Sequence, residues 1–134
     1  MIAFYASTNR SPHNLFLLDI PELRVRQLTS ALSPEINSND LVEAETVRFD
    51  SFDGMQIPGL LFKPRGASAE NKVPALVWVH GGPGGQARNE FNPLIQYLAN
   101  HGYAVFAINN RGSSGYGKAF FTADDRKHGQ ADLD

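Results

Sequence analysis

Two glycine-rich stretches carry the residue types that could do chemistry. In VWVHGGPGGQ, Val77 to Gln86, a β-branched and aromatic run stops at His80, and glycine then fills four of the next five positions. Backbone that bare approaches another group closely, and three partners have that need: the phosphates of a nucleotide, the oxyanion of an acyl transfer, or the chain itself in a tight turn. The second stretch, GSSGYGKA, runs from Gly112 to Ala119 and also follows an apolar run.

Each stretch can be weighed against phosphate binding. Gly82 to Ala87, GPGGQA, fits the spacing G-x-G-x-x-G/A of a dinucleotide loop between a strand and a helix. That motif needs an acidic residue at the end of the next strand to hold the ribose hydroxyls, and the next apolar run ends in Asn109, Asn110 and Arg111. Arg111 suits a 2′-phosphate, but Pro83 removes an N–H and stiffens the turn. GSSGYGKA fits G-x-x-x-x-G-K, yet Ala119 stands where the motif needs a hydroxyl for Mg²⁺, and Tyr116 crowds the loop. Lys118 then reads as a solvated charge. The remaining reading takes His80-Gly81-Gly82 as a loop that delivers glycine N–H groups to a tetrahedral oxyanion, with His80 as a positioning side chain. A glycine pair at a strand end also has a purely structural reading, and both stay open on these residues alone.

Other constellations are sparse. No G-x-S-x-G nucleophile elbow occurs, and the G-S-S-G spacing of Ser113 and Ser114 does not make that strained strand-to-helix turn. His13, His80, His101 and His128 lack H-E-x-x-H spacing, so no metal and no cofactor is expected. The acidic cluster Asp124, Asp125, Asp132 and Asp134 reads as a solvated helix face.

The elements that must position the glycine loops follow from periodicity. IAFYAS, LFLLDI and RVRQLT, separated by NRSPHN and PEL, read as an antiparallel meander. SALSPEINSNDL reads as a linker. ETVRFDSFDGMQIPGLLFKP reads as a hairpin pivoting at Asp53-Gly54 in a type I′ turn. VPALVWVH, nearly all apolar, is expected to be a central strand buried on both faces. EFNPLIQYLANHG is a helix with Phe91, Leu94, Ile95 and Leu98 at helical spacing and Gly102 at its end, and YAVFAINN is a second buried strand. Strand, helix, strand makes a βαβ unit with Val73 to Val79 and Tyr103 to Ile108 parallel.

Composition narrows the partners. The chain has 134 residues, net charge -2, 42% hydrophobic residues and no cysteine, so it builds one modest core and has no basic footprint for nucleic acid. The absence of cysteine fits the cytoplasm. No apolar run approaches the roughly 20 residues of a membrane span, and the start lacks the pattern of a secretion signal. A cytoplasmic chain without nucleic-acid or membrane partners is therefore the expectation.

VRFDSFDGMQIPGLLFKP, VPALVWVHGGPGGQ, GYAVFAINNRGSSGYGKAF and DDRKHGQADL, in this order and spacing, resemble the prolyl oligopeptidase family of serine peptidases, nearest to its acylaminoacyl-peptidase and dipeptidyl-peptidase branch. The resemblance runs from Ile2 to the end of the chain. It implies an α/β fold class: the N-terminal part of an α/β-hydrolase domain over 45–134, preceded over 1–44 by the last strands of a β-propeller and a linker. It implies that the Gly82 N–H serves an oxyanion hole, with a second donor from the residue after the nucleophile, and that peptides are the substrate of the parent protein. In α/β-hydrolases the triad follows in the order Ser, Asp or Glu, His, so all three are expected beyond Asp134 and the isolated chain is expected to be inactive and prone to self-associate. The competing expectation is a non-catalytic binding or assembly module; a nucleotide-binding α/β domain is the third.

Overall fold

Alternating side chains around tight turns build the first sheet of the computed structural model, which describes residues 1–82 and 84–130. Strands β1 (Ile2–Thr8), β2 (Ser11–Asp19) and β3 (Arg24–Gln27) form the antiparallel meander in the order β1-β2-β3. Phe4 pairs with Phe16 and their rings stack at 5.6 Å. The first turn is shorter than NRSPHN implies: Thr8 pairs with Ser11, so only Asn9 and Arg10 turn the chain. β2 then takes in Pro12, which falls where the register shifts between Ala6 and Thr8. A bulge tolerates the N–H that proline lacks.

The linker contains one 3₁₀ turn, Ser38–Asp40, capped by the Asn37 side chain. Beyond it β4 (Ala44–Asp50) and β5 (Gln56–Phe62) pair antiparallel as the expected hairpin. Its loop is not a two-residue type I′ turn. Five residues, 51–55, connect the strands, Ser51 N donates to Met55 O, and only Gly54 has positive φ, +81°. Asp53 accepts from Met55 N instead of taking the left-handed conformation itself.

The βαβ unit forms as the periodicity requires. β6 (Ala75–Val79) runs parallel to β7 (Ala104–Ile108), and α1 (Pro93–Asn100) joins them. The strands are shorter than Val73 to Val79 and Tyr103 to Ile108. Pro74 contributes only its carbonyl, to Ala104 N, and Tyr103 N closes the helix on Leu98 O. Asn92 caps α1 by accepting from Leu94 N and Ile95 N. The sheet order is β4-β5-β7-β6, which corrects one expectation: β7 is the interior strand, and β6 lies at the edge. Val77 and Val79 are 66% and 59% exposed, because no described strand pairs with the outer side of β6.

One face of this sheet carries the core. Val42, Leu60, Phe62, Ile95, Ala99, Val105 and Ala107 are buried together, with Trp78, Ala87 and Leu98 packed against them. The buried face of α1 is Ile95, Gln96 and Ala99, so Gln96 sits where the apolar spacing pointed to Leu94, which is half exposed. A buried amide is tolerated because both its ends are hydrogen-bonded: Oε1 accepts from Val42 N, and Nε2 donates to Val42 O and Asn9 O. Phe62→Ala should lower stability by about 3–5 kcal/mol in equilibrium urea unfolding. A loss below about 1 kcal/mol would mean that α1 does not close over this sheet in solution.

Candidate active site

The glycine loop leaves the carboxyl end of β6, where parallel sheets place their sites. At Gly82 and Gly85 it is folded so tightly that a side chain has no room. A Cβ on Gly82 would lie 2.7 Å from Gly84 N and 2.8 Å from Gly85 N, and one on Gly85 would collide with Gly81 O and His80 Nδ1. Gly81, Gly82 and Gly84 are exposed. Among the described residues no group accepts a hydrogen bond from the N–H of Gly82, Gly84 or Gly85. Pro83 lies outside the described residues, as do Asp132 and Asp134 of the acidic cluster.

A loop without side chains has its shape imposed by its surroundings, and here the second glycine stretch supplies the constraint. Asn109, 1% exposed, stands one residue past β7, and its backbone N–H continues the sheet by donating to Pro58 O at 2.9 Å. Its side chain treats Ala87 as a strand would. Oδ1 accepts from Ala87 N at 2.7 Å, and Nδ2 donates to Ala87 O at 3.1 Å and to Tyr116 Oη at 2.8 Å. Ser114 donates to Gly85 O from both its backbone N, 2.9 Å, and its hydroxyl, 3.2 Å. Phe121, in α2 (Lys118–Phe121), covers Gly84, and Gln86 lies over Gly115. A cavity of about 100 Å³ remains between loop and sheet, bordered by Trp78, His80, Ala87 and Ala107.

His80 joins this brace. Its Nε2 lies 2.8 Å from Ser113 Oγ and its Nδ1 lies 3.0 Å from Gly81 O. A serine and a histidine at this distance have the spacing of a nucleophile and its base, but the surroundings give the pair another role. Ser113 is 0% exposed, so no substrate reaches it, and its hydroxyl donates to Asn110 O at 2.6 Å. Nε2 then donates to Ser113 Oγ. The ring thus lies between Ser113 and the Gly81 carbonyl, within hydrogen-bond distance of both. His80 and Ser113 together fix where the chain leaves β6.

The other residues singled out by pattern find structural places. Arg111 is buried, its Nη1 and Nη2 donate to Asp53 at 2.8 and 2.6 Å, and its guanidinium lies 4.7 Å from the centre of the Phe52 ring. The group that suited a 2′-phosphate is thus engaged by the β4–β5 loop. Lys118 opens α2 and is exposed. Asp124 does not lie on a solvated helix face: α2 ends at Phe121, the following turns fold the chain back, and Asp124 is 1% exposed, packed over Gly112 with His128 Nδ1 3.1 Å from its carboxylate. Glycine at 112 leaves the space that carboxylate fills. His13, a residue of β2, contacts Ser7, and His101 caps α1. No cluster of potential metal ligands occurs among the described residues. Pattern reading missed Asn109 and Ser113 as braces; the available signal was polar residues placed directly after an apolar strand, where buried side chains must find partners.

A mixed sheet with a glycine-rich turn after a parallel edge strand, preceded by a small antiparallel sheet, defines a protein of the α/β class. Residues 89–134 match the prolyl oligopeptidase family, and it is to this family that the chain is related. The chain is 32% identical over 132 residues, 98% of its length, to an uncharacterized peptidase of Bacillus subtilis, YuxL, and 38% identical over 96 residues, 67% of its length, to dipeptidyl aminopeptidase BIII of Pseudoxanthomonas mexicana. It covers 20% and 14% of those proteins. Among solved structures it superposes on acylaminoacyl peptidase of Pyrococcus horikoshii with TM-score 0.81 and 31% identity, and on a puromycin-hydrolyzing peptidase of Mycobacterium tuberculosis with TM-score 0.87 and 26% identity, in both cases over 98% of this chain and 21% of the other. The chain thus spans about a fifth of the length of its relatives.

The Arg111–Asp53 pair gives the site a pH dependence. The guanidinium holds the Asp53 carboxyl down from 3.8 to about 2, with help from Met55 N–H. A carboxyl whose value is lower in the fold than in the unfolded chain stabilises the fold above its unfolded value, and that contribution disappears as pH falls through the folded one. The stability difference between the parent chain and Asp53→Asn should therefore be nearly full above about pH 4, shrink as pH falls toward about 2 and vanish below it, read by urea unfolding across that range. A difference that is constant with pH would show that the pair does not form in solution.

Proposed function

We propose that this chain is the part of a serine peptidase that holds the oxyanion loop, and that the Gly82 N–H donates to the tetrahedral intermediate formed at a peptide carbonyl. The observation that carries this reading is that the N–H groups of the exposed Gly82 and Gly84, at the carboxyl end of β6, have no acceptor among the described residues, while the loop around them is braced by Asn109 and Ser114. When a nucleophile attacks a carbonyl, the oxygen gains a negative charge that was absent in the substrate. Donors fixed in advance stabilise that charge without reorganising at the moment of reaction. His80 is the positioning residue for Gly81 and Gly82 through Ser113.

The same reading assigns residues 1–44 to the end of a β-propeller with its linker and 45–134 to the N-terminal part of an α/β-hydrolase domain. The separate three-stranded sheet and the superposition on acylaminoacyl peptidase over 98% of the chain support this division. Nucleophile, base and orienting acid are supplied by other parts of the full-length polypeptide, which takes peptides as substrate. The second reading, an association module, is favoured by the exposed Val77 and Val79 at the β6 edge, since unpaired edges with apolar side chains pair with other chains.

Two experiments test the proposal. In the full-length polypeptide, Gly82→Val should cost about 3–4 kcal/mol of transition-state stabilisation, seen as a fall in kcat with KM little changed; equal losses in both would point to misfolding of the loop. The 134-residue chain alone should take no label from a fluorophosphonate probe, because Ser113, the serine held by His80, is fully buried. Stoichiometric labelling abolished by Ser113→Ala would refute the assignment of Ser113 as a brace.

A further inference from the structure

The arm of the glycine loop that leads into α1 has a second, separate hold, and it comes from the meander. Asn9, at the β1–β2 turn, is 1% exposed although it is polar and lies in a two-residue hairpin turn. Turn residues of this kind ordinarily face water. Its Nδ2 donates to Glu90 O at 3.3 Å, its Oδ1 accepts from Ala44 N at 3.0 Å, and its own carbonyl accepts from Gln96 Nε2 at 2.9 Å. Gln96, 3% exposed and 87 residues further along the chain, continues the network to both backbone groups of Val42. One turn of the first sheet therefore holds the end of the loop, the first turns of α1 and the start of β4 at a single buried point.

We propose that Asn9 is a positioning residue for the glycine loop, transmitting the placement of the meander to the 84–92 arm through Glu90 and α1. Nothing in the loop itself can do this: the arm from Arg88 to Glu90 is exposed, and the Asn109 and Ser114 bonds end at Ala87. The arm is thus held at its near end from β7 and at its far end from the meander. Neighbouring Arg10 docks the same turn elsewhere, donating to Ser38 O at 2.8 Å and Asn39 Oδ1 at 2.9 Å, and it reaches neither Glu90 nor Gln96. It separates positioning of the arm from docking of the meander.

The test is backbone amide exchange of this chain as Asn9→Asp, which keeps an acceptor for Ala44 N–H but has no donor for Glu90 O, beside Arg10→Ala. Asn9→Asp should raise exchange of the hydrogen-bonded amides at the end of the arm, Glu90 and the Asn92-capped Leu94, Ile95 and Gln96, about tenfold, the weight of one buried hydrogen bond, while the amides of β5 and β7 stay protected. Arg10→Ala should leave these four amides unchanged. Unchanged exchange of the four in Asn9→Asp, or equal loosening in Arg10→Ala, overturns the proposal. If the buried carboxylate unfolds the chain, Asn9→Ser carries the same comparison. The kinetic consequence rests on the oxyanion reading: in the full-length polypeptide Asn9→Asp should lower kcat about tenfold with KM little changed, and a rise in KM with kcat intact would overturn it. A Gly82→Val variant with undiminished kcat would refute the oxyanion reading alone, and the exchange result would still decide on Asn9.

Discussion

A loop made of glycine has no side chains with which to hold itself in one shape, so its geometry has to be imposed from outside. That constraint organises the whole of the second sheet's upper edge. The collisions that any Cβ would make at Gly82 and Gly85 explain why the loop is bare. The bareness in turn explains why buried polar side chains gather around it. Asn109 mimics a neighbouring strand for Ala87, Ser113 holds His80, and Ser114 holds Gly85. Each is a group that would be costly to bury unpaired, so the brace and the loop stabilise each other only when both are formed.

The same logic reaches further than the loop. Gln96 occupies a core position of α1, and Asn9 is buried in a hairpin turn; each is tolerated because both ends of its side-chain amide are hydrogen-bonded, Gln96 to Val42 and the Asn9 carbonyl, Asn9 to Glu90 O and Ala44 N. Hydrophobic burial of Phe62, Val105 and Ile95 makes the sheet and helix adhere, but apolar contact is non-directional. The amide network is directional and selects one placement of the meander on the helix. Arg111 does a comparable task on the opposite side, where its fork geometry fixes the Asp53 loop against the second glycine stretch.

The elements were readable from periodicity, and the reasons are local. Alternation made the meander and hairpin visible, helical spacing made α1 visible, and the glycine stretches announced loops of close approach. What could not be read was partnership across distance. The run ALVWV looks the same whether it ends up central or at an edge, because its composition records burial in a finished sheet and not which segment provides it. Asp124 looked solvated because acidic neighbours surround it in sequence, while the space that receives it is created by Gly112, twelve positions earlier. Asn109 was visible only as the wrong residue for a ribose, and Asn9 only as a turn former. The glycine loop was legible as a loop of close backbone approach, whereas its supports were not, since a support is defined by what it touches.

The edge position of β6 then bears on how the glycine loop can be held at the end of a half-exposed strand. Every brace on the loop comes from the β7 side or from the meander: Asn109, Ser113 and Ser114 follow β7, and Asn9 acts through Glu90 and α1. None comes from the outer edge of β6. Additional strands can pair with that edge, and cover Val77 and Val79, without changing a single bond that orients the loop. A loop whose orienting bonds do not involve that edge keeps its shape whether or not the edge is paired. This also places the cost of an open edge on association of the chain instead of on the shape of its glycine loop.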